Sequence, residues 1–254
     1  MFSISKATKV VSNKDSKGVF EVEALYPGYG ATVGNSLRRV LLSSLEGAAI
    51  TQVKIKGAPH EFSTISGIKE DVIGILLNLK QLRFKVFGDG PFVATLKAKG
   101  VKEVKAGDFK TSSSAEVVNK DLVIAHLTEK SAELDIEVEI NKGVGYEASE
   151  ARKRGKEEIG SISLDAAYTP VRKVSFRVEQ MRVGDRTDYD RLIIELETDG
   201  TLDPEAALKA AGDILVKQFQ AVSEGLKFEE EPLVEKKAAK KKTPVKKKVA
   251  GKKK

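Results

Sequence analysis

Much of the chain alternates apolar and polar residues over short runs, the pattern of β-strands that bury one face. Turn clusters such as the one at 13–18 separate these runs, and the glycine- and charge-rich stretch 141–160 indicates a long exposed loop. We therefore predict strands within 2–26 and at 50–56, 83–86, 92–96, 134–140, 171–178 and 191–196.

Two stretches in the first third of the chain instead repeat apolar residues at helical spacing. Thr32 is a candidate N-cap of the first helix, and Gly47 can end it in a left-handed conformation. One face of this helix comprises Leu37, Val40, Leu41, Ser44 and Leu45. The second helix is predicted from about residue 64 to 79, with Glu70 and Asp71 in its early turns, where the helix dipole favours acids.

A third helix follows Asp203 and Pro204, a typical pairing of an N-cap with a proline at the first helical position. Its apolar residues step by 3, 4, 4, 3 and 4 positions through Leu208, Ala211, Leu215, Phe219, Val222 and Leu226. This stripe is narrow, as in a coiled coil. It fits either packing on its own domain or a helix–helix dimer seam, and its length and narrowness favour the seam.

Composition excludes several classes of protein. The 254 residues include no cysteine and only His60 and His126, which excludes disulfides, thiolate metal sites and multi-histidine metal sites. No apolar run approaches the about 18 residues of a membrane span. Because the N-terminus also lacks a secretory pattern, we expect a cytoplasmic protein.

The net charge of +7 is unevenly distributed, because residues 236–254 hold 11 lysines and no acid while the rest is mildly acidic. Such a lysine-rich tail cannot bury enough surface to order itself, so we predict disorder over 231–254. The tail is either a solubilising segment or a sequence-independent tether for polyanions such as DNA. The candidate DNA contacts are Lys240, Lys241, Lys242, Lys246, Lys247 and Lys248.

The glycines at 28, 30 and 34 precede and enter the first helix but match neither the dinucleotide fingerprint nor the P-loop. We interpret them as a tight turn that lets this helix approach another chain. Arg38 and Arg39 lie about 100° apart on a helix, so at least one must leave the apolar face. No catalytic constellation is evident: neither histidine has a nucleophile nearby, and acids are not clustered to bind magnesium.

Several long motifs, in order, resemble the bacterial-type RNA polymerase alpha subunit over about residues 1–228. The resemblance rests on Gly28–Ser44, His60–Lys80, Asp165–Val171, Val178-Glu179, Arg186–Asp188 and Glu195–Pro204. It implies an α+β fold: a dimerisation domain built from 1–48 and 172–230, with a mostly β domain, 49–171, inserted into it. The usual helical C-terminal domain, which binds promoter DNA, does not fit into the residues after Phe228.

The resemblance also implies a function in assembly. The family's homodimer recruits the beta and beta-prime subunits of a nucleotidyltransferase, and the catalytic magnesium belongs to a partner, so no cofactor is expected in this chain. The residues implied to contact beta are Arg38, Arg39, Leu42, His60, Glu61, Glu70, Asp71 and Lys80. Those implied to contact beta-prime are Val171, Val178, Glu179, Arg186 and Asp188. The implied dimer interface comprises Tyr29, Val33, Leu37, Val40, Leu41, Leu208, Ala211, Leu215, Phe219 and Val222.

The runner-up interpretation is a free-standing nucleic-acid-binding protein that acts through the basic tail. It predicts a monomeric body that needs no large protein partner. The two interpretations differ in a measurable way, because only the polymerase interpretation predicts two very large partners at a 2:1:1 ratio.

Overall fold

A computed structural model describes residues 8–88, 90–152 and 160–225. Its helices are α1 (Tyr29–Ser43), α2 (Val72–Lys80), α3 (Ser149–Arg152) and α4 (Pro204–Gly225). Its strands are β1 (Lys9–Lys14), β2 (Lys17–Leu25), β3 (Glu46–Ile55), β4 (Phe84–Val86), β5 (Phe92–Lys99), β6 (Lys102–Lys105), β7 (Lys110–Thr111), β8 (Ala115–Val117), β9 (Val123–Leu127), β10 (Glu133–Val144), β11 (Tyr146–Glu147), β12 (Ser161–Ser163), β13 (Ala166–Ala167), β14 (Val171–Val183) and β15 (Arg186–Thr198). The predicted α+β class is confirmed.

The two ends of the described chain build one layered unit. An antiparallel sheet in the order β1-β2-β15-β14 is covered by α1, which contacts β14, β15 and α4. Its core includes Phe20, Leu41, Leu192, Leu196 and Ala211. We call this unit the terminal unit.

The middle of the chain builds a second unit with its own core. A five-stranded sheet in the order β12-β3-β10-β5-β7 is accompanied by α2 and by small two-stranded sheets. Fully buried side chains fill this core, including Ile75, Leu79, Phe84, Leu96 and Ile136. Alternating burial along β5 and β10 reflects the sequence pattern directly. We call this the insert unit.

The predicted start and end of the first helix are wrong. The α1 helix begins at Tyr29, after Gly28 in a left-handed conformation, so Thr32 lies inside the helix and caps nothing. The helix ends at Ser43, and Gly47 is already in β3. Gly47 serves close packing, since a Cβ there would collide with the carbonyl oxygen of Tyr168.

The second helix is shorter than predicted, and the loop predicted at 141–160 is partly structured. The α2 helix begins at Val72, and Asp71 is its N-cap, accepting a 2.7 Å hydrogen bond from the Gly74 amide. Residues 64–71 are not helical. The strand β10 continues to Val144, and β11 and α3 follow it.

The glycines of α1 serve contact with the chain's own sheet, which corrects their assignment to an approach between chains. A Cβ at Gly30 would lie 2.7 Å from Val178, and one at Gly34 would lie 2.6 Å from the ring of Phe176. Real side chains do not approach this closely. The small residues therefore let α1 lie directly on β14 and β15.

Asp190 anchors the start of α1 from a distant part of the sequence. Its buried carboxylate accepts a 2.9 Å hydrogen bond from the amide of Gly30, where a local capping side chain is lacking. Helix N-termini leave amides unpaired, so this bond satisfies one of them.

We expect Asp190→Ala to destabilise the terminal unit. Loss of an N-capping carboxylate typically costs about 1 kcal/mol, and burial places this case toward about 2 kcal/mol. Urea unfolding, compared with the exposed control Asp185→Ala, measures the loss. Equal unfolding free energies of the two variants would show that Asp190 does not stabilise α1.

Candidate functional site

One exposed surface lies on α1, where Arg38, Arg39 and Leu42 share a face. Leu42 follows the two arginines by four and three positions, which places all three side chains together. All three are exposed. Neither guanidinium makes a hydrogen bond or ion pair within residues 8–88, 90–152 and 160–225. These unpaired cations beside an exposed leucine form a surface that we call the arginine face.

The loop between β3 and α2 contributes exposed residues of the insert unit. His60 and Glu61 are exposed, and the His60 Nδ1 atom lies 3.2 Å from the Ser63 hydroxyl. Phe62 is 74% exposed, which is unusual for an aromatic side chain. Sequence reasoning included Phe62 only within a longer segment, because a single aromatic residue in a loop gives no periodic signal.

Glu70 is tied to its own unit. It accepts a 2.7 Å hydrogen bond from the His126 amide, and its other oxygen lies 2.6 Å from the His126 Nδ1 atom. Partial burial acts to raise the pKa of Glu70, but the hydrogen bonds from His126 outweigh it, and the pKa lies below its ordinary value. Glu70 is therefore a structural link between the start of α2 and β9.

Lys80 and Asp71, at the two ends of α2, also have partners within the unit. Asp71 is engaged as the N-cap, and Lys80 forms a 3.0 Å ion pair with Asp165. The amide of Ser149 and then Lys80 hold the pKa of Asp165 at about 2. The side chains of Lys80 and Asp165 remain partly accessible, so a partner subunit would meet them as an ion pair.

The β14–β15 hairpin carries the residues expected to face beta-prime, with one correction. Val171 is only 3% exposed and packs in the core of the terminal unit, so it cannot offer a contact surface. Val178 and Glu179 are exposed, and Glu179 pairs with Arg177 at 3.2 Å. At the hairpin tip, Arg186 binds Asp188 through two hydrogen bonds, which raise the pKa of Arg186 and lower that of Asp188.

The residues predicted for a dimer interface divide into buried and exposed groups. Leu41 and Ala211 are completely buried within this chain. Their assignment to direct dimer contact is therefore corrected: both belong to the core of the terminal unit. Val33, Leu37, Val40 and Leu208 are half-buried and pack against the core of the terminal unit. Leu215 is half-buried and Tyr29 is 49% exposed.

The second half of α4 exposes a group of large apolar side chains. Phe219 is 63% exposed and Val222 is 64% exposed. Val216, which the sequence stripe missed, is 54% exposed and lies one turn before Phe219. We call Val216, Phe219 and Val222 the α4 patch. The first half of the same helix buries Ala207 and Ala211 instead.

Two findings bear on other chemistry. No group of three or more His, Asp or Glu residues is placed to hold a metal ion in the part of the chain that the structure describes. Among the same residues, no helix is long and apolar enough to cross a membrane. The six tail lysines from Lys240 to Lys248 lie outside the described residues, and DNA binding by them stays a prediction.

Comparisons with known proteins agree on one family. Residues 53–169 match the family described as the RNA polymerase Rpb3/RpoA insert domain. The chain is 44% identical over 247 residues to the DNA-directed RNA polymerase subunit alpha of Cytophaga hutchinsonii, covering 92% of this chain and 74% of that one. Corresponding values are 46% identity for the Porphyromonas gingivalis subunit (85% and 66% coverage) and 47% for that of Clostridium botulinum (81% and 65%).

These matches extend through both the terminal and the insert unit, at identities well above those of fold similarity alone. Together with the α+β architecture, they establish that the chain belongs to the family of DNA-directed RNA polymerase alpha subunits.

Proposed function

We propose that this chain forms a homodimer that scaffolds the assembly of the beta and beta-prime subunits and is itself without the catalytic site. The observation that carries the proposal is the pair of exposed surfaces on the terminal unit, the α4 patch and the arginine face, whose two guanidinium groups have no partner among the described residues. An enzyme acting alone would need a cleft with convergent polar groups. A scaffold needs exposed contact surfaces, which this chain has.

Dimerisation is supported by the two halves of α4, which differ in their exposure. The first half is fixed by packing Ala207 and Ala211, so the second half extends from the unit as a preformed helix. Val216, Phe219 and Val222 then expose apolar surface that a second copy of the helix would cover. Such an interface is isologous, because each copy offers the same patch.

Capture of beta is supported by the arginine face. An arginine without an internal partner retains all its donors for a carboxylate of another chain. Leu42 supplies an apolar contact beside them. The loop at His60, Glu61 and Phe62 adds a second exposed element, carried by the insert unit.

Capture of beta-prime would use the exposed side of the β14–β15 hairpin. Val178, Glu179, Arg186 and Asp188 are accessible there, and the exposed Arg177–Glu179 and Arg186–Asp188 pairs place charges of both signs on this surface. Because the dimer is symmetric and the two large partners differ, the same residues would have different roles in the two copies. The catalytic magnesium would belong to a partner subunit.

Co-expression with the beta and beta-prime subunits of the same organism tests the proposal. We expect a complex of two copies of this chain with one of each large subunit, and a dimer when the chain is expressed alone. Mass measurement by light scattering distinguishes these states. A chain that stays monomeric at micromolar concentration and binds neither large subunit would contradict the proposal.

A further inference from the structure

An ion pair joins the insert unit to the terminal unit. The Nε atom of Arg83, in the insert unit just after α2, lies 3.2 Å from the Oδ2 atom of Asp199, which follows β15. Their side chains are only 22% and 5% exposed. A pair with this burial is not a surface ion pair of negligible effect, because removing one partner leaves a charge in a poorly solvated place.

Asp199 is held rigidly on the terminal side. Its Oδ1 atom accepts hydrogen bonds from the amide and hydroxyl of Thr201, at 3.0 and 2.6 Å. Its own amide donates to the carbonyl of Pro170 at 2.9 Å. The remaining oxygen, Oδ2, lies beside Arg83 from this position; the contact is one of opposite charges, since the Nε atom of Arg83 makes no hydrogen bond within the described residues.

Arg83 is equally constrained on the insert side. Its Nη1 atom donates to the carbonyls of Lys80 and Leu82, and its amide donates to the Asn119 side chain at 2.9 Å. Burial lowers the pKa of Arg83, and the Asp199 carboxylate opposes that effect, while Arg172 adds a repulsion of like charge. Asp199 thus offsets part of the effect of burying the guanidinium, and the pKa of Arg83 remains below its ordinary value.

A solvent-open groove of about 230 Å³ lies beside this pair, with Phe84, Lys85 and Val86 on one side and Thr201 and Leu202 on the other. Packing also crosses the junction, since a Cβ at Gly200 would lie 3.2 Å from the side chain of Val118. The ion pair therefore acts together with packing contacts, and it adds a restraint between two oppositely charged groups that are largely removed from water.

We infer that Arg83 and Asp199 are positioning residues that fix the insert unit relative to the terminal unit. The arginine face on the terminal unit and the loop of His60, Glu61 and Phe62 on the insert unit then act as one beta-binding surface. The fixed orientation stands on the structure of this chain alone. Its consequence for beta binding rests on the proposed function. A rigid composite surface binds more tightly because less motion is lost on association.

Distance measurements by double electron–electron resonance test the orientation directly. The chain has no cysteine, so cysteines introduced at Lys130 and Lys14, one in each unit, carry the only spin labels. Labelled chains are diluted with unlabelled chain so that distances within one chain are measured. We expect Arg83→Gln and Asp199→Asn to broaden the distance distribution at least about twofold, since each breaks the pair.

Two controls make the result specific. Labels at Lys14 and Thr187, both in the terminal unit, should keep their distribution in the same variants. Asp108→Asn, which breaks the 2.7 Å pair with Lys102 inside the insert unit, should leave the Lys130–Lys14 distribution unchanged. An unaltered Lys130–Lys14 distribution in both Arg83→Gln and Asp199→Asn would overturn the inference.

A double-mutant cycle tests the consequence for beta. We expect Arg83→Gln to weaken binding of beta about tenfold in the parent chain but less than about twofold when Phe62→Ala has already removed the insert contact. Additive losses would show that Arg83 does not act through positioning. If no variant, nor the parent, binds beta, the proposed function fails, while the resonance result still decides the orientation.

Discussion

The Phe219→Asp variant is expected to be a monomer at concentrations at which the parent chain is a dimer. Phe219 is 63% exposed within the chain and lies between Val216 and Val222 on one side of α4. In a dimer its ring would be covered by the partner's helix, and an aspartate there would lose water without gaining a partner. That desolvation costs several kcal/mol, which corresponds to a weakening of more than about a hundredfold.

The same variant should fold normally, because Phe219 belongs to neither core. Sedimentation equilibrium gives the dimer dissociation constant, and circular dichroism gives the thermal midpoint. Ala221→Asp is the matched control, since it places the same charge on the opposite side of the exposed half of α4. A dissociation constant for Phe219→Asp equal to that of the control would refute the α4 patch as the dimer surface.

The α4 helix shows what periodicity predicts and what it leaves open. Its start at Pro204 and its apolar stripe follow from the sequence. The same stripe, however, packs on its own unit at Ala211 and is exposed at Phe219. The spacing of apolar residues is the same in the half of α4 that packs on its own unit and in the half that is exposed. The sequence therefore could not show where the packed half ends. Burial depends on where the neighbouring sheet and α1 stop, which is a tertiary property.

The start of α1 was predicted wrongly for a related reason. Local capping rules favour Thr32, whereas the structure satisfies the Gly30 amide with Asp190, 160 positions away. Likewise, the glycines at 30 and 34 are explained by Val178 and Phe176 across the packing interface. Pairings of this separation leave no trace in a local pattern. The Arg83–Asp199 pair was missed for the same reason.

Exposure of the arginines could be predicted in part. Their adjacency on a helix required at least one of them to leave the apolar face, and the structure exposes both. The involvement of Glu70 with His126 was not predictable, because their contact needs the insert unit to be folded. The residues that the resemblance implied to contact beta thus include side chains that are free within the described chain, such as Arg39, and side chains that are paired within it, such as Glu70. Only the structure separates these two groups.

Arg39→Ala is expected to weaken the binding of beta about 10- to 100-fold while leaving the dimer and its stability unchanged. The guanidinium has no partner within the described chain, so its removal breaks no internal contact. An arginine that forms a paired contact at the centre of an interface typically contributes about 1.4 to 3 kcal/mol. The affinity of Arg39→Lys for beta should lie between those of the parent chain and Arg39→Ala, because lysine keeps the charge but lacks the planar set of guanidinium donors.

Titration calorimetry of the dimer with isolated beta, at one fixed salt concentration, measures this effect. Arg182→Ala is the control, because it removes the same charge from the exposed β14–β15 hairpin. An equal, small loss in both variants would mean that beta senses only the overall charge of the chain, and the arginine face would lose its assigned role. A selective loss in Arg39→Ala, together with an unaltered dimer dissociation constant, separates capture of beta from dimerisation: the first then depends on α1 and the second on the end of α4.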